Sequence, residues 1–431
     1  MKHRENRLKP AEIALRIFNR KDKQGRAYRF ISLNDRLYRY HRGVYRPSDE
    51  GAAQLACCLA GEDSTTYLCQ EAVEWLKRRC RIDPAEVDAG KYINVRNGLL
   101  DWRTEELHPH APDYFSIRQI PVDWNPEARS PRLIRFLREV LPDKGTIRAL
   151  VEGIGYTLQP RCHHQKAFLL LGEGANGKSV FLSLLRALLG KGNVSAIKLQ
   201  DFDTNRHRFA AAQIVGKVAN IFPDLPRSAI HETDAFKALV AGEEITVEEK
   251  YGRLFQYQNT GKLWFSANEL PPTSDVTLGF FRRWLLVPFP NTFEGSRADK
   301  NLAEKLTTDG ALSCLLRLAV KYLRRLEKHG HFTDTPATRR ALNQYRRECD
   351  SVLGFVEEKV EREEGEKVSY DAFYMKYVKW CGHSGCKPLK KNAFFRRAKS
   401  HLKKRHGDFK VIRPQAEGKR LRYVEDLRIV A

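Results

Sequence analysis

The sequence lacks any apolar run long enough to cross a membrane, because its longer runs, such as Ala167–Leu171, fall far short of the roughly 20 residues a spanning helix needs. No apolar segment follows the basic stretch 1–9, so a secretory leader is not expected. The nine cysteines are irregularly spaced, which argues against the disulfide framework of a small secreted protein. Together these absences predict a soluble, cytoplasmic protein with no membrane partner. Internal repeats and low-complexity tracts are also missing. Acidic residues are scarce beside basic ones, 53 against 76, for a net charge of +23 and a pI near 9.6. That imbalance points to a polyanionic partner, since clustered cations gain free energy by releasing counterions from phosphates. Hydrophobic residues, at 42%, suffice for ordinary burial. At about 100 to 200 residues per domain, 431 residues predict two to four domains.

Four segments are expected. Residues 1–90 mix aromatic stretches at 28–32 and 37–45 with a helical pattern at 67–81, and carry no readable motif. Residues 91–160 begin with β formers and turn residues, where Asn97-Gly98 between apolar stretches signals a hairpin. They continue with Leu133, Phe136, Leu137, Val140 and Leu141 at helical spacing. In residues 161–330, strand-like runs at 167–171, 215–222, 262–267 and 284–289 alternate with longer helical patterns, the arrangement that builds a parallel sheet flanked by helices. Residues 331–431 open with a helix around 339–347, followed by a glutamate-rich helix end and loop at 357–366. The last 65 residues hold 18 Lys and Arg against 5 Asp and Glu, giving +13.

Residues 172–179, Gly-Glu-Gly-Ala-Asn-Gly-Lys-Ser, satisfy the pattern G-x-x-x-x-G-K-[ST], with an apolar strand before them and a helix at 180–189 after them. Glycines let the backbone bend tightly and aim N–H groups at phosphate oxygens, and the helix N-terminus adds a favourable dipole. The expected ATP-binding set is Gly172, Glu173, Gly174, Ala175, Asn176, Gly177, Lys178, Ser179 and Val180, with Lys178 on the β and γ phosphates and Ser179 on Mg2+. Asp224, the first acid after the strand at 215–222, is the candidate carboxylate for Mg2+ and the attacking water. Asn268 ends the strand at 262–267, where an amide can hold the γ phosphate or that water. Arg282 and Arg283 precede another strand, where an arginine can reach an adjacent subunit's nucleotide. One of the pair is expected to pack and the other to reach.

These motifs, together with Phe-Lys-Ala-Leu-Val-Ala-Gly-Glu-Glu-Ile at 236–245 and Phe-Phe-Arg-Arg-Trp at 280–284, resemble a superfamily 3 helicase, and more narrowly the phage and plasmid primase-helicase family. The similarity runs over about residues 90–430 and includes the Asn-Gly hairpin, an Ile-Pro-Val segment and Gly155-Tyr156. It implies an α/β fold with an AAA+ type P-loop ATPase core, an α+β N-terminal region and a C-terminal winged helix. It also implies a homo-hexameric ring that uses ATP and Mg2+, translocates on single-stranded and forked DNA, and serves a separate primase or polymerase. On this resemblance Asp224 is the metal carboxylate, Asn268 the sensor and Arg283 the finger. The segment 245–257 corresponds to a channel hairpin, with Lys250 and Arg253 contacting DNA around Tyr251. Two departures stand out: one aspartate behind a proline replaces the usual acid pair, and no metal-binding acidic motif of a primase is present, so primer synthesis is not expected.

In the basic C-terminal segment, two helical patterns followed by a ribbon around Glu417-Gly418 have a winged-helix layout. Lys390, Lys391, Arg396, Arg397 and Lys399 are its candidate phosphate contacts. Cys381, His383 and Cys386, and likewise Cys162, His163 and His164, lack the paired spacing of a structural zinc site and read as packing or loop residues. A replicative helicase is the leading function, and an origin-binding or DNA-loading ATPase is the alternative. A nucleotide-regulated DNA binder with little hydrolysis would not need the carboxylate, amide and arginine set.

Overall fold

The structure is a computed structural model that describes residues 8–430 apart from 23, 204–205, 249, 251–253, 296–298, 408–410, 413–414, 417–418 and 421. Five short apolar stretches make the central sheet: Ala167–Leu171 (β1), Val194–Ser195 (β2), Ala219–Phe222 (β3), Lys262–Ala267 (β4) and Trp284–Pro288 (β5). They lie in the order β5-β1-β4-β3-β2, and every pairing is parallel. Such strands read as near-continuous apolar runs because both faces are covered. Phe168, Leu170, Trp264, Leu285 and Val287 enter the core on one face, while Leu169, Leu263, Phe265, Trp284 and Leu286 enter the other. Successive side chains point to opposite faces, so alternate residues fall to each core.

The first face is packed by Pro131–Val140 (α1), Lys144–Thr157 (α2), Lys178–Leu189 (α3) and Asp309–His329 (α4), and this core takes in Ile93, Leu100, Ile120 and Trp124 as well. Two glycines let α2 approach its neighbours closely. A Cβ at Gly155 would lie 2.5 Å from the Ala319 carbonyl oxygen of α4, and one at Gly153 would lie 2.6 Å from the Phe168 ring. Below α2, Phe168 stacks on Trp264 with ring centroids 4.0 Å apart.

The helical pattern that begins at Pro131 is two helices, because Asp143 caps a new start by accepting from the Thr146 amide at 2.7 Å. The expected hairpin forms between Ile93–Val95 and Gly98–Asp101, but Val95 pairs with Gly98, so its turn is centred on Arg96-Asn97. Asn97 instead pins the following segment, accepting from the Trp124 amide at 2.8 Å and donating to its carbonyl at 3.0 Å. The second expected strand, 215–222, is shorter than its apolar run, since the chain still turns at Val215-Gly216, where Gly216 has φ of 72°, and the strand begins only at Ala219.

The N-terminal region has its own core, formed by Ile13, Ile17, Phe30, Leu37, Val73 and Leu76. Its strands Phe30–Leu33, Arg36–His41 and Val44–Pro47 form an antiparallel sheet beside three helices. The C-terminal region has another core, with Phe355, Phe373, Tyr377, Phe394, Leu402 and Leu427 at its centre. Helices Ser351–Lys359 (α5), Tyr370–His383 (α6) and Lys391–His406 (α7) pack there on a three-stranded sheet. Its strands are Val360–Ser369, Val411–Ile412 and Tyr423–Ile429. The glutamate-rich stretch is therefore the end of α5, as expected, followed by a strand rather than a loop. Only Val360 of its ten residues is buried, so no alternation of apolar and polar residues marks it. The expected Glu417-Gly418 turn lies outside the described residues. Among the described residues no helix is long and apolar enough to cross a membrane.

Candidate active site

Residues 172–177 leave the C-terminal end of β1 and return the chain into α3, a strand–loop–helix turn at the edge where open parallel sheets bind ligands. Gly177 caps α3 with φ of 87°, and Gly174 has φ of 126°, conformations in the left-handed region that favours glycine. Gly177 also has no room for a side chain, since a Cβ would lie 2.6 Å from Val140 on α1. The far side of the loop is held by Phe293, whose amide donates to the Ala175 carbonyl at 2.8 Å. Glu173, Ala175 and Ser179 are exposed, Gly172, Gly174, Gly177 and Val180 are half-buried, and Asn176 is buried.

Lys178 is 6% exposed, and its ammonium is shared among three oxygens: Gly172 carbonyl at 2.6 Å, Asn176 Oδ1 at 3.0 Å and Asn268 Oδ1 at 3.1 Å. Burial lowers its pKa and the charge of Asp224 opposes that shift. The structure thus brings together Lys178 from the first motif, Asn268 from the tip of β4 and the field of Asp224 beyond β3. Asp224 is exposed in a left-handed conformation, with φ of 57°, and its amide donates to Ser266 Oγ at 3.1 Å. Ser266 is a positioning residue that sequence reasoning missed, although its signal was present as the one hydroxyl in an otherwise apolar strand tip. The exposed Ser179 hydroxyl and Asp224 carboxylate are hard oxygen donors of the kind magnesium takes. A polyphosphate on the loop would meet backbone N–H groups and the Lys178 ammonium.

Arg282 and Arg283 lie at the other end of the sheet, before β5. Arg283 is 8% exposed, donates from Nη1 to the Gly279 carbonyl at 2.6 Å, and has its pKa lowered by burial and by Arg282. Arg282 is exposed, and its carbonyl accepts from Lys166 Nζ at 2.6 Å. The expectation that Arg283 is the reaching arginine does not fit this burial: Arg283 packs, and Arg282 is the side chain presented to solvent. The segment ahead of them is fixed by Asp275, which accepts from Thr277 Oγ1 at 2.6 Å and Lys237 Nζ at 3.1 Å.

The hairpin pairs Glu244–Glu248 with Leu254–Gln258, antiparallel. Arg208 Nε holds the turn end of the hairpin by donating to Glu248 Oε2 at 2.7 Å. Lys250 is exposed beside the hairpin tip, whereas Tyr251 and Arg253 lie outside the described residues. Along α7, Phe394, Ala398 and Leu402 are buried, while Lys391, Arg396 and Lys399 are exposed; Lys390, also exposed, is its N-cap residue. Lys391 pairs with the exposed Asp371 carboxylate, and Arg397 lies 3.9 Å from the buried Asp350 carboxylate, which also accepts from His401 Nε2 at 2.8 Å. The Arg397 charge is therefore turned towards Asp350, with its side chain 33% exposed. Cys381 is buried in the C-terminal core, and His383 bonds the Lys379 carbonyl at 2.8 Å.

A parallel sheet with a glycine loop and helix at its C-terminal edge, flanked by separate N- and C-terminal cores, defines a mixed α/β protein of the strand–loop–helix class. Comparison with known proteins narrows that class. Residues 63–142 match the family described as D5 N terminal like, residues 347–429 match Poxvirus D5 protein-like, and residues 170–283 match a family of unknown function, DUF5906. A helicase-named protein of Acanthamoeba polyphaga mimivirus is 25% identical over 324 residues, or 68% of this chain. The chain spans 33% of that relative's length. Two structures of the NrS-1 C-terminal region share the fold, with TM-scores of 0.55 and 0.53 at 10% and 12% identity. Each alignment covers 98% of this chain and 100% of the other. These matches together support a place for the chain among the D5-type phage and viral primase-helicases.

Proposed function

We propose that the protein is an ATP-dependent DNA helicase of superfamily 3, an AAA+ type ATPase that acts as a homo-hexameric ring in DNA replication. The observation that carries this reading is the meeting of Lys178, Asn268 and the field of Asp224 at one edge of the sheet. Those groups serve hydrolysis, since binding a nucleotide without cleaving it needs no carboxylate or amide beside the γ phosphate. In this reading Ser179 and Asp224 hold Mg2+, which neutralises charge on the transferred phosphate. Lys178 moves from its three oxygen partners to the β and γ phosphates. Asn268, released from Lys178, orients the attacking water. Arg282 supplies the finger to the neighbouring subunit.

DNA binding rests on the charge distribution. Exposed Lys390, Lys391, Arg396 and Lys399 line or adjoin α7, which reads as the recognition helix of a winged helix, and the hairpin with Lys250 contacts the strand in the ring. The test is displacement of a labelled strand from a forked duplex with ATP and Mg2+, beside hydrolysis with and without single-stranded DNA. Unwinding abolished by Lys178→Ala is expected. Stimulated hydrolysis without unwinding would replace the helicase reading by a DNA-loading ATPase.

A further inference from the structure

The loop that leads into β1 carries a feature the ATPase reading does not use. His163, His164 and Glu327 bring three ligand atoms within 4.8 Å of one another, a grouping found nowhere else among the described residues. The two histidines are consecutive, and the chain turns so that their rings lie side by side, centroids 4.1 Å apart and 43° between planes. Both Nε2 atoms face a single oxygen, Oε1 of Glu327 in the last turns of α4, at 3.0 and 3.2 Å. The rings are braced from behind, since Tyr156 packs edge-on to both, at 5.9 and 5.3 Å, and Phe332 packs on His164 at 5.6 Å. The His164 side chain is 9% exposed, Glu327 29% and His163 42%, so the cluster is walled on one side and open to solvent on the other.

We propose that this cluster binds one divalent transition-metal ion of the zinc class through His163 Nε2, His164 Nε2 and the Glu327 carboxylate, with water completing the coordination. A tetrahedral ion with bonds of about 2.0 to 2.1 Å sets its ligand atoms about 3.3 Å apart. The observed nitrogen–oxygen separations need only a few tenths of an ångström of adjustment, within braced rings. Two imidazoles and one carboxylate make a donor set that suits zinc, copper or nickel rather than magnesium, so this ion is distinct from the one at the phosphate loop. On binding, each neutral ring moves its proton from Nε2 to Nδ1 and gives the Nε2 lone pair to the metal. The two N–H···O bonds to Glu327 are replaced by metal bonds, and no redox partner or leaving group is involved.

The ion would clamp the entry loop of β1 to α4, next to Lys166, whose ammonium caps the carbonyls of Arg282 at 2.6 Å and Trp284 at 3.3 Å. It would therefore stiffen the arginine edge of the sheet. The inference does not depend on the nucleotide reading.

The experiment uses the full chain, stripped with EDTA and free of nucleotide. Zinc sulfate is titrated by calorimetry and in thermal melts, and Co2+ is followed by its visible absorption, whose intensity reports four-coordination. His163→Ala and Glu327→Gln are compared, both at positions open enough for the fold to persist, as circular dichroism verifies. One equivalent bound, a raised Tm, and affinity at least tenfold weaker in both variants are expected. Absence of stoichiometric binding would overturn the proposal. So would equal binding by the wild type and both variants, which would put the ion elsewhere, for example on Cys381 and Cys386.

Discussion

Replacing Arg282 with alanine should abolish turnover while leaving the fold intact, and replacing Arg283 should do the reverse. β5 runs parallel to β1 with Trp284 opposite Ala167 and Pro288 opposite Leu171, so the arginines stand where the strands begin and the phosphate loop where they end. Five residues at about 3.3 Å each separate the two by about 16 Å, too far for Arg282 to reach its own subunit's nucleotide. A finger here must act across a subunit boundary. Fingers of this kind contribute about 10³- to 10⁵-fold in kcat, or about 4 to 7 kcal/mol of barrier. Arg282 is exposed, so its loss should change folding stability by no more than about 0.5 kcal/mol. Arg283 is buried with a charge-assisted bond to the Gly279 carbonyl at 2.6 Å, and Arg283→Ala should cost about 1 to 2 kcal/mol of stability. The assay pairs DNA-stimulated ATP hydrolysis with urea unfolding. Mixing Arg282→Ala with Lys178→Ala should restore part of the activity, because some boundaries then carry an intact arginine facing an intact loop. Turnover within tenfold of wild type for Arg282→Ala, or no rescue at any mixing ratio, would refute the argument.

Three further outcomes are expected. Gly155→Val should destabilise the protein by about 1 to 3 kcal/mol in urea, because its Cβ would stand 2.5 Å from the Ala319 carbonyl and force α2 away from α4. Asp275 is half-buried, which raises its pKa, but bonds from Thr233, Thr277 and Lys237 outweigh burial and hold it down at about 2. Its folded value lies below its unfolded one, so its contribution is complete above about pH 4 and is lost as pH falls from there towards 2. Tm measured against pH should therefore fall less steeply over that window in Asp275→Asn than in wild type. Lys399→Ala, on the exposed face of α7, should weaken DNA binding and reduce the slope of log K against log salt by about 1, whereas a change at Arg397 should act on stability through Asp350 instead.

The loop at 172–179 and four of the five central strands were legible because their signals are local. A phosphate loop needs particular residue types at consecutive positions, and buried parallel strands appear as apolar runs. Val194–Ser195 was not legible, since two residues carry no period, and Val360–Ser369 was hidden by a sequence of mostly exposed charges. Ser266 sat in plain view within a recognised strand, but its bond to the Asp224 amide depends on how β3 and β4 lie side by side.

By itself, the sequence determined that a glycine loop with Lys178 and Ser179 joins a strand to a helix, that acid, amide and arginine motifs follow in a set order, and that positive charge gathers at the C-terminal end. Each of these is a property of residue type and short spacing. Only the tertiary structure decided which of two adjacent arginines faces solvent, because burial follows from the packing of β5 and the turn at Gly279 rather than from neighbouring residue types. The same holds for the withdrawal of Arg397 onto Asp350, 47 positions away in the chain. It holds also for the meeting of His163 and His164 with Glu327, residues more than 160 positions apart that come together only when α4 packs beside the loop entering β1.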